Sequence, residues 1–273
     1  MKLFKKRNFI SSRELYTILI ISILIFILSF YRPLYFIKDQ LNSAIANGYQ
    51  LSNFDILCSF EENGLLDAFS FAFVIIPIFS ALMIYVIDTN NSLIRVIRYK
   101  DRNKIWNRNI LLVLVSAFLL STLLVFGGYL ASGLFVKGYN NTWNTELGLP
   151  YIIYGMTKIW PKLSSLLVTY KVIPIFWITI FLGLSFIGIF ICTAKLFIRN
   201  VYVYAGIIAI VFGDIYGIFG IKLMLGVSMS SRNWLYPNSI IIGNMYFIIG
   251  IFVLYFMGKY INSKKDQGIA KKH

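Results

Sequence analysis

Residues 65–108 read LLDAFSFAFVIIPIFSALMIYVI followed by DTNNSLIRVIRYKDRNKIWNR, and this change of character decides the fold. The first 23 residues hold one charge, Asp67, near their start. About 20 apolar residues in a helix cross the ~30 Å hydrocarbon core of a bilayer. The next 21 residues hold six Lys or Arg, and Asn109–Val136 is apolar again. A greasy run, a cation-rich connector and a second greasy run predict two membrane spans joined by a cytoplasmic loop.

The same alternation extends outward. Six apolar runs are long enough to span: Leu15–Tyr31, Leu65–Ile87, Asn109–Val136, Val172–Ala194, Val201–Ile221 and Tyr236–Gly258. The 273 residues are 58% hydrophobic and 14% charged, against about 25% charged in soluble domains. The expected fold is therefore an all-α integral membrane protein, one transmembrane domain over residues 1–273. The third run is long enough to tilt or to extend past the lipid. Pro77 and Pro174 fall in or near the starts of spans, where neighbouring helices re-satisfy the freed carbonyls.

The cations set the orientation. With the N-terminus inside, Lys and Arg number five at 1–14, six at 88–108, two at 195–200 and five at 259–273; the outer pieces hold two, four and two. Asp39, Asp55, Glu61, Glu62, Asp67 and Glu146 fall outside. Both termini are thus expected in the cytoplasm, with 259–273 as a cytoplasmic tail. The net charge of +15 sits in loops and tails, so the lipid bilayer, not nucleic acid, is its expected partner. No small-residue cleavage site follows the first run, which ends in Tyr31-Arg32-Pro33, so it reads as a span and not as a signal peptide. Residues 1–14, with Leu3, Phe4, Ile10 and the adjoining Leu15 between cations, suit an amphipathic helix on the inner headgroups.

The outer loops carry their own pattern. Leu34, Ile37, Leu41, Ala44 and Ile45 have helical spacing that stops at Asn47-Gly48. Tyr139, Trp143, Tyr151, Tyr154, Trp160 and Tyr170 are expected on short helices on or in the outer face, forming an aromatic belt. Cys58 lies in an outer loop and Cys192 in a span, so no disulfide between them is expected.

The expected chemistry is not catalytic. His273 is the single histidine, which removes most mechanisms needing a histidine base or a zinc ligand. Glu61-Glu62 has no supporting histidine, and no metal site is expected. No G-x-x-x-x-G-K-[ST] sequence occurs, since Gly258-Lys259 is followed by Tyr260, so ATP-driven work would need a separate polypeptide.

The connector at 88–108 carries the most information. Asn91 and Ser92 open it, and Ser92 suits a helix cap. Leu93, Ile94, Val96 and Ile97 give an apolar side with Arg95 and Arg98 interleaved; Tyr99 and Arg102 continue the run, and Trp106 is an expected interface anchor before the third span. A short amphipathic helix here could press into a groove on a partner. The stretch Ile94–Trp106 resembles the loop of ABC-2-type permease subunits of Gram-positive bacteria, where an Arg-Tyr-x-x-Arg-x-x-x-Trp-like pattern follows the second span. The six-span layout, the basic N-terminal helix and the lack of an ATPase are similar to that family over the whole chain; the motif covers about a dozen residues. The resemblance implies a bacterial plasma-membrane permease with the ABC-2 (type V exporter-like) fold. Asn91–Arg102 would be the coupling helix for a separate ATP-binding cassette ATPase. A second permease chain would complete a dimer, and ATP and Mg would reside on the ATPase, with no cofactor in this chain. The cargo would be a peptide, an antimicrobial or a lipid-like compound.

Asp214 is the acidic residue deepest in a predicted span, and a carboxylate there costs on the order of 3 kcal/mol unless it finds protein or water. Lys222 or a polar group on another helix could pair with it. Ala209, Gly213 and Gly217 repeat every four residues and could form a close helix-packing face. Two other readings stay open: a stand-alone membrane protein giving immunity to, or sensing, a membrane-active peptide, and an ion-coupled carrier using Asp214.

Overall fold

The computed structural model describes residues 12–58, 63–91, 102–136, 138–229 and 237–270. The amphipathic segment expected at 1–14 lies outside the described residues except for Ser12, Arg13 and Glu14, and most of the connector, 92–101, lies outside them as well. Everything regular among the described residues is helical. Five helices are long and apolar enough to cross a membrane: α1 (Ser12–Asn47), α3 (Ala68–Asn90), α4 (Arg102–Val136), α7 (Thr169–Ala194) and α9 (Pro237–Ala270). Between them lie three short helices, α2 (Asn53–Leu57), α5 (Leu149–Tyr154) and α6 (Trp160–Ser164), and the 16-residue α8 (Asn200–Ile215). The end of the bundle where α3 finishes and α4 begins is the basal end, and the opposite end is apical.

α1 differs from the expectation of a span ending at Tyr31 followed by a separate helix. It runs unbroken for 36 residues through a buried Pro33, roughly 54 Å at 1.5 Å per residue. Proline costs a membrane helix less than a soluble one, because neighbours supply the missing contacts. Beside Pro33, the Arg32 guanidinium donates to Asn63 Oδ1 at 2.8 Å and lies 3.6 Å from the Phe69 ring centroid. The helix stops at Asn47-Gly48, as its spacing predicts. Gly48 takes φ +72°, and the N–H groups of Tyr49 and Gly48 return to Ala44 O and Ile45 O, the pairing that satisfies a helix's last carbonyls.

α7 is the structural centre. Its apolar stretch is 67% buried, against 6% for that of α9, and it packs against α3, α4 and α9. Two glycines let helices touch closely: a Cβ on Gly188 of α7 would come within 2.4 Å of Val113 on α4, and one on Gly258 of α9 within 2.2 Å of the Trp106 ring. Two π-turns widen spans where ordinary bonding is interrupted. One, Phe71–Ile75, lies just before Pro77, which has no N–H to offer. The other, Leu123–Gly127, follows Thr122, whose hydroxyl accepts the Trp177 indole N–H at 3.1 Å.

The predicted fifth span, Val201–Ile221, is helical only to Ile215. Gly217 and Gly220 both adopt φ +68°, a conformation glycine takes without strain, and the chain turns back on itself. It then runs through a 3-10 turn at Leu225–Val227 to Met229, with Met224, Leu225, Val227 and Met229 buried against the bundle.

Candidate functional site

Two polar regions, one at each end, organise the bundle. At the basal end, side chains on different helices bond to one another. Glu14 at the start of α1 and Arg108 on α4 form an ion pair at 2.7 Å, both buried. Asn90, the last residue of α3, donates to Asn109 Oδ1 at 2.6 Å, and the Asn109 amide donates to Asn91 Oδ1 at 3.0 Å. One amide on α4 thus clasps both residues at the end of α3. Asp88 pairs with the Lys195 ammonium and accepts from the Asn200 amide, joining α3 to α7 and α8. Lys195 also donates to Ile84 O at 3.0 Å; burial holds its pKa below the usual lysine value, and the Asp88 carboxylate only partly opposes this. Lys195 is therefore a tie between helices. Tyr255 on α9 donates to Asn107 Oδ1 at 3.2 Å.

Asn91, where the connector leaves α3, belongs to this lattice. Asn91 and Arg102 are the described limits of the expected coupling segment; Ser92, Leu93, Ile94, Arg95, Val96, Ile97, Arg98 and Tyr99 lie outside the described residues. Trp106, expected as an interface anchor, is 2% exposed. Its ring packs over Gly258 and lies 6.5 Å from that of Tyr255. It joins α4 to α9 inside the protein.

At the apical end, side chains bond to backbone. The Asp214 carboxylate at the end of α8 accepts three N–H groups from the returning chain: Leu223 at 2.9 Å, Met224 at 2.7 Å and Leu225 at 2.8 Å. The partner is neither Lys222 nor a side chain on another helix. Buried backbone polar groups need partners, and Asp214 supplies them for this turn. Among the described residues of this chain, Ala209, Gly213 and Gly217 line no contact with another helix. Ala209 is exposed, Gly213 is covered by the Phe219 ring of its own turn, and Gly217 lies past the helix end. The buried stripe of α8 runs instead through Val203, Ile207, Val211 and Asp214.

A second apical carboxylate works the same way. Asp55 Oδ2 accepts the Ser52 N–H at 2.7 Å, closing a capping box on α2, and Oδ1 accepts the Trp143 indole N–H at 2.6 Å. Trp143 is fully buried with its ring 5.5 Å from that of Phe54, so it is a core residue and leaves the expected aromatic belt; Tyr139 and Tyr170 are exposed. Burial pushes the Asp55 carboxyl up to about 7, against the two donors that pull it down. The α2 segment then meets the returning chain. The N–H groups of Leu65 and Leu66 bond to Ile56 O and Leu57 O, and the Met229 N–H bonds to Leu66 O. Cys58, a free thiol like Cys192, donates to Met229 O.

Sequence reasoning singled out Asp214 but missed Asp55, Asp88, Glu14 and the asparagine clasp. Asp55 had one signal, the Ser52-x-x-Asp55 spacing of a capping box; its indole partner 88 positions away had none. Glu14 and Arg108 did have a signal, as charges of opposite sign at the same predicted boundary. No protein-family model, curated protein or solved structure matches the chain.

Proposed function

We propose that the chain is the permease subunit of an ATP-binding cassette transporter, with six spans, the basal end in the cytoplasm of a bacterial cell, and α8 with its returning turn as the fifth crossing. A separate ATPase binds ATP and Mg and docks on residues 91–102. A second permease chain, identical or paralogous, completes the pathway for a peptide, antimicrobial or lipid-like cargo. The resemblance of Ile94–Trp106 to the ABC-2 permease loop motivates the reading. The observation that carries it is the Asn90–Asn109–Asn91 clasp with its neighbouring ion pairs. A connector that receives force from a partner must pass it to the spans, and side-chain bonds between α1, α3, α4, α7 and α8 at its base are a rigid means of doing so. Coupling also requires that each nucleotide state favour one arrangement of the spans. The ion-coupled carrier reading has less support, because three backbone donors already occupy the Asp214 carboxylate.

The test is copurification with a Walker-motif ATPase and the change Leu93→Asp or Ile97→Asp. The variants are expected to insert normally yet to lose ATPase association or permease-stimulated turnover; unchanged association and turnover would remove the coupling role. An impermeant amine reagent on intact cells is expected to label Lys158 but neither Lys100 nor Lys265, and the reverse pattern would invert the topology.

A further inference from the structure

Between α7, the returning chain and the apical half of α9 lies a cavity of about 420 Å³, within the range of about 300–1,000 Å³ that holds small ligands. Its walls combine apolar surface with a few polar groups. Thr179 lines this space and is 3% exposed, and its buried hydroxyl has no hydrogen-bond partner among the described residues. A buried hydroxyl without a partner is costly and marks a place where a ligand or water belongs. Lys222, Ser239 and Tyr246 also line the cavity and bring an ammonium and two hydroxyls. None of the described lining side chains is acidic. The Asp214 carboxylate is engaged by the backbone N–H groups of Leu223, Met224 and Leu225, three donors that offset its charge. The rim is greasy: Ile221 and Ile242 are 64% and 68% exposed. An apolar rim on a hydrophobic bundle opens more naturally toward hydrocarbon than toward water.

We propose that this cavity binds a single-chain amphiphile with an anionic head. The head, carboxylate or phosphate, pairs with Lys222 and takes hydroxyl donors from Thr179, Ser239 and Tyr246. The chain lies against Leu225 and leaves between Ile221 and Ile242 into the apical leaflet. A cation with convergent donors selects an anion, and the apolar walls select what it is attached to. The proposal goes beyond the permease reading and does not rest on it, since binding is measured on this chain alone.

The full chain in phosphatidylcholine nanodiscs would be photolabelled with three diazirine-bearing probes: palmitate, lysophosphatidylglycerol and hexadecanol. Labelled peptides would be mapped by mass spectrometry. At least one anionic probe is expected to label residues 221–229 and 239–246 about tenfold above the alcohol. Palmitate alone points to a fatty acid, lysophosphatidylglycerol alone to a phospholipid, and both to the shared head charge. Lys222→Gln, at an exposed position, is expected to remove most of that preference. Gly243 lines the cavity and a Cβ there meets nothing within 4 Å, so Gly243→Leu is expected to fold and to block all three probes. Equal labelling by acid and alcohol, label spread evenly over the exposed faces of α1 and α9, or insensitivity to Lys222→Gln would each overturn the proposal.

Discussion

The two ends of the bundle solve one problem in different ways. At the basal end, polar side chains bond to polar side chains on other helices: Glu14 to Arg108, Asn90 and Asn91 to Asn109, Asp88 to Lys195 and Asn200. At the apical end, carboxylates bond to backbone: Asp214 to residues 223–225 and Asp55 to Ser52, with one indole besides. The difference follows from what each end must hold. Basal helices are complete, with backbone bonds mostly internal, so only their mutual positions need fixing. Apical segments turn back before forming regular structure, so their N–H groups need acceptors that no helix provides. Damage should therefore differ in kind: apical changes should unfold a segment, and basal changes should let whole helices shift.

Asp214→Ala is the severest trial of that contrast. It removes the acceptor of three N–H groups, two of them on buried residues, each worth roughly 1–3 kcal/mol when left unmade. A loss of about 4 kcal/mol in detergent unfolding is expected. Hydrogen exchange should quicken at Leu223, Met224 and Leu225 while the α1–α4 contact stays protected. Exchange confined to the basal end would break the comparison.

Arg108→Leu comes next. It leaves Glu14 buried without its guanidinium partner, a loss of about 3 kcal/mol. The pair Glu14→Leu with Arg108→Leu should recover most of that, because two apolar groups replace a buried ion pair at little cost. If the double variant were worse than the single, the ion pair would be more than an anchor between α1 and α4. Asn109→Leu should cost less, about 1–2 kcal/mol for two neutral bonds. Its signature would be mechanical: spin labels at the ends of α3 and α4 should show a broader distance distribution, with apical exchange unchanged.

The same contrast explains what could be read in the sequence. The long runs were legible because lipid demands about 20 apolar residues in succession, and five of the six expected spans correspond to long helices. The end of α1 was legible because Gly48 takes the left-handed conformation that a helix stop needs. The returning chain after Ile215 was not. Its apolar composition continues through Gly217-Ile-Phe-Gly-Ile221, and hydropathy cannot distinguish a helix from a turn held by a carboxylate nine to eleven residues earlier. Trp143 failed as a belt residue for the same reason, since its partner Asp55 lies 88 positions away. The basal lattice was half legible: boundary charges and asparagines were visible, but which helix faced which was not.

The smallest effect, when read only between pH 6 and pH 8, lies on Asp55, and it tests whether the apical carboxylates serve the backbone. Folded, Asp55 keeps its proton up to about 7; unfolded, it ionises near its ordinary value of 3.8. Between those values the folded chain binds more protons than the unfolded one, so stability falls as pH rises through this window and levels off above it. From pH 6 to pH 8 the loss from this group alone is on the order of 1 kcal/mol. Asp55→Asn keeps an oxygen for the Trp143 indole but does not titrate, so its pH profile should lack that fall. The two profiles should converge at low pH, where Asp55 is a neutral acid and resembles the amide, and separate toward pH 8. There the ionised carboxylate bears its full burial cost, while the amide sets a second donor against the Ser52 N–H. Subtracting one profile from the other cancels the remaining acidic groups and leaves the titration of one residue. Parallel profiles would mean that Asp55 is ionised throughout and that Ser52 and Trp143 overcome its burial, making the apical carboxylates as strongly held as the basal ion pairs.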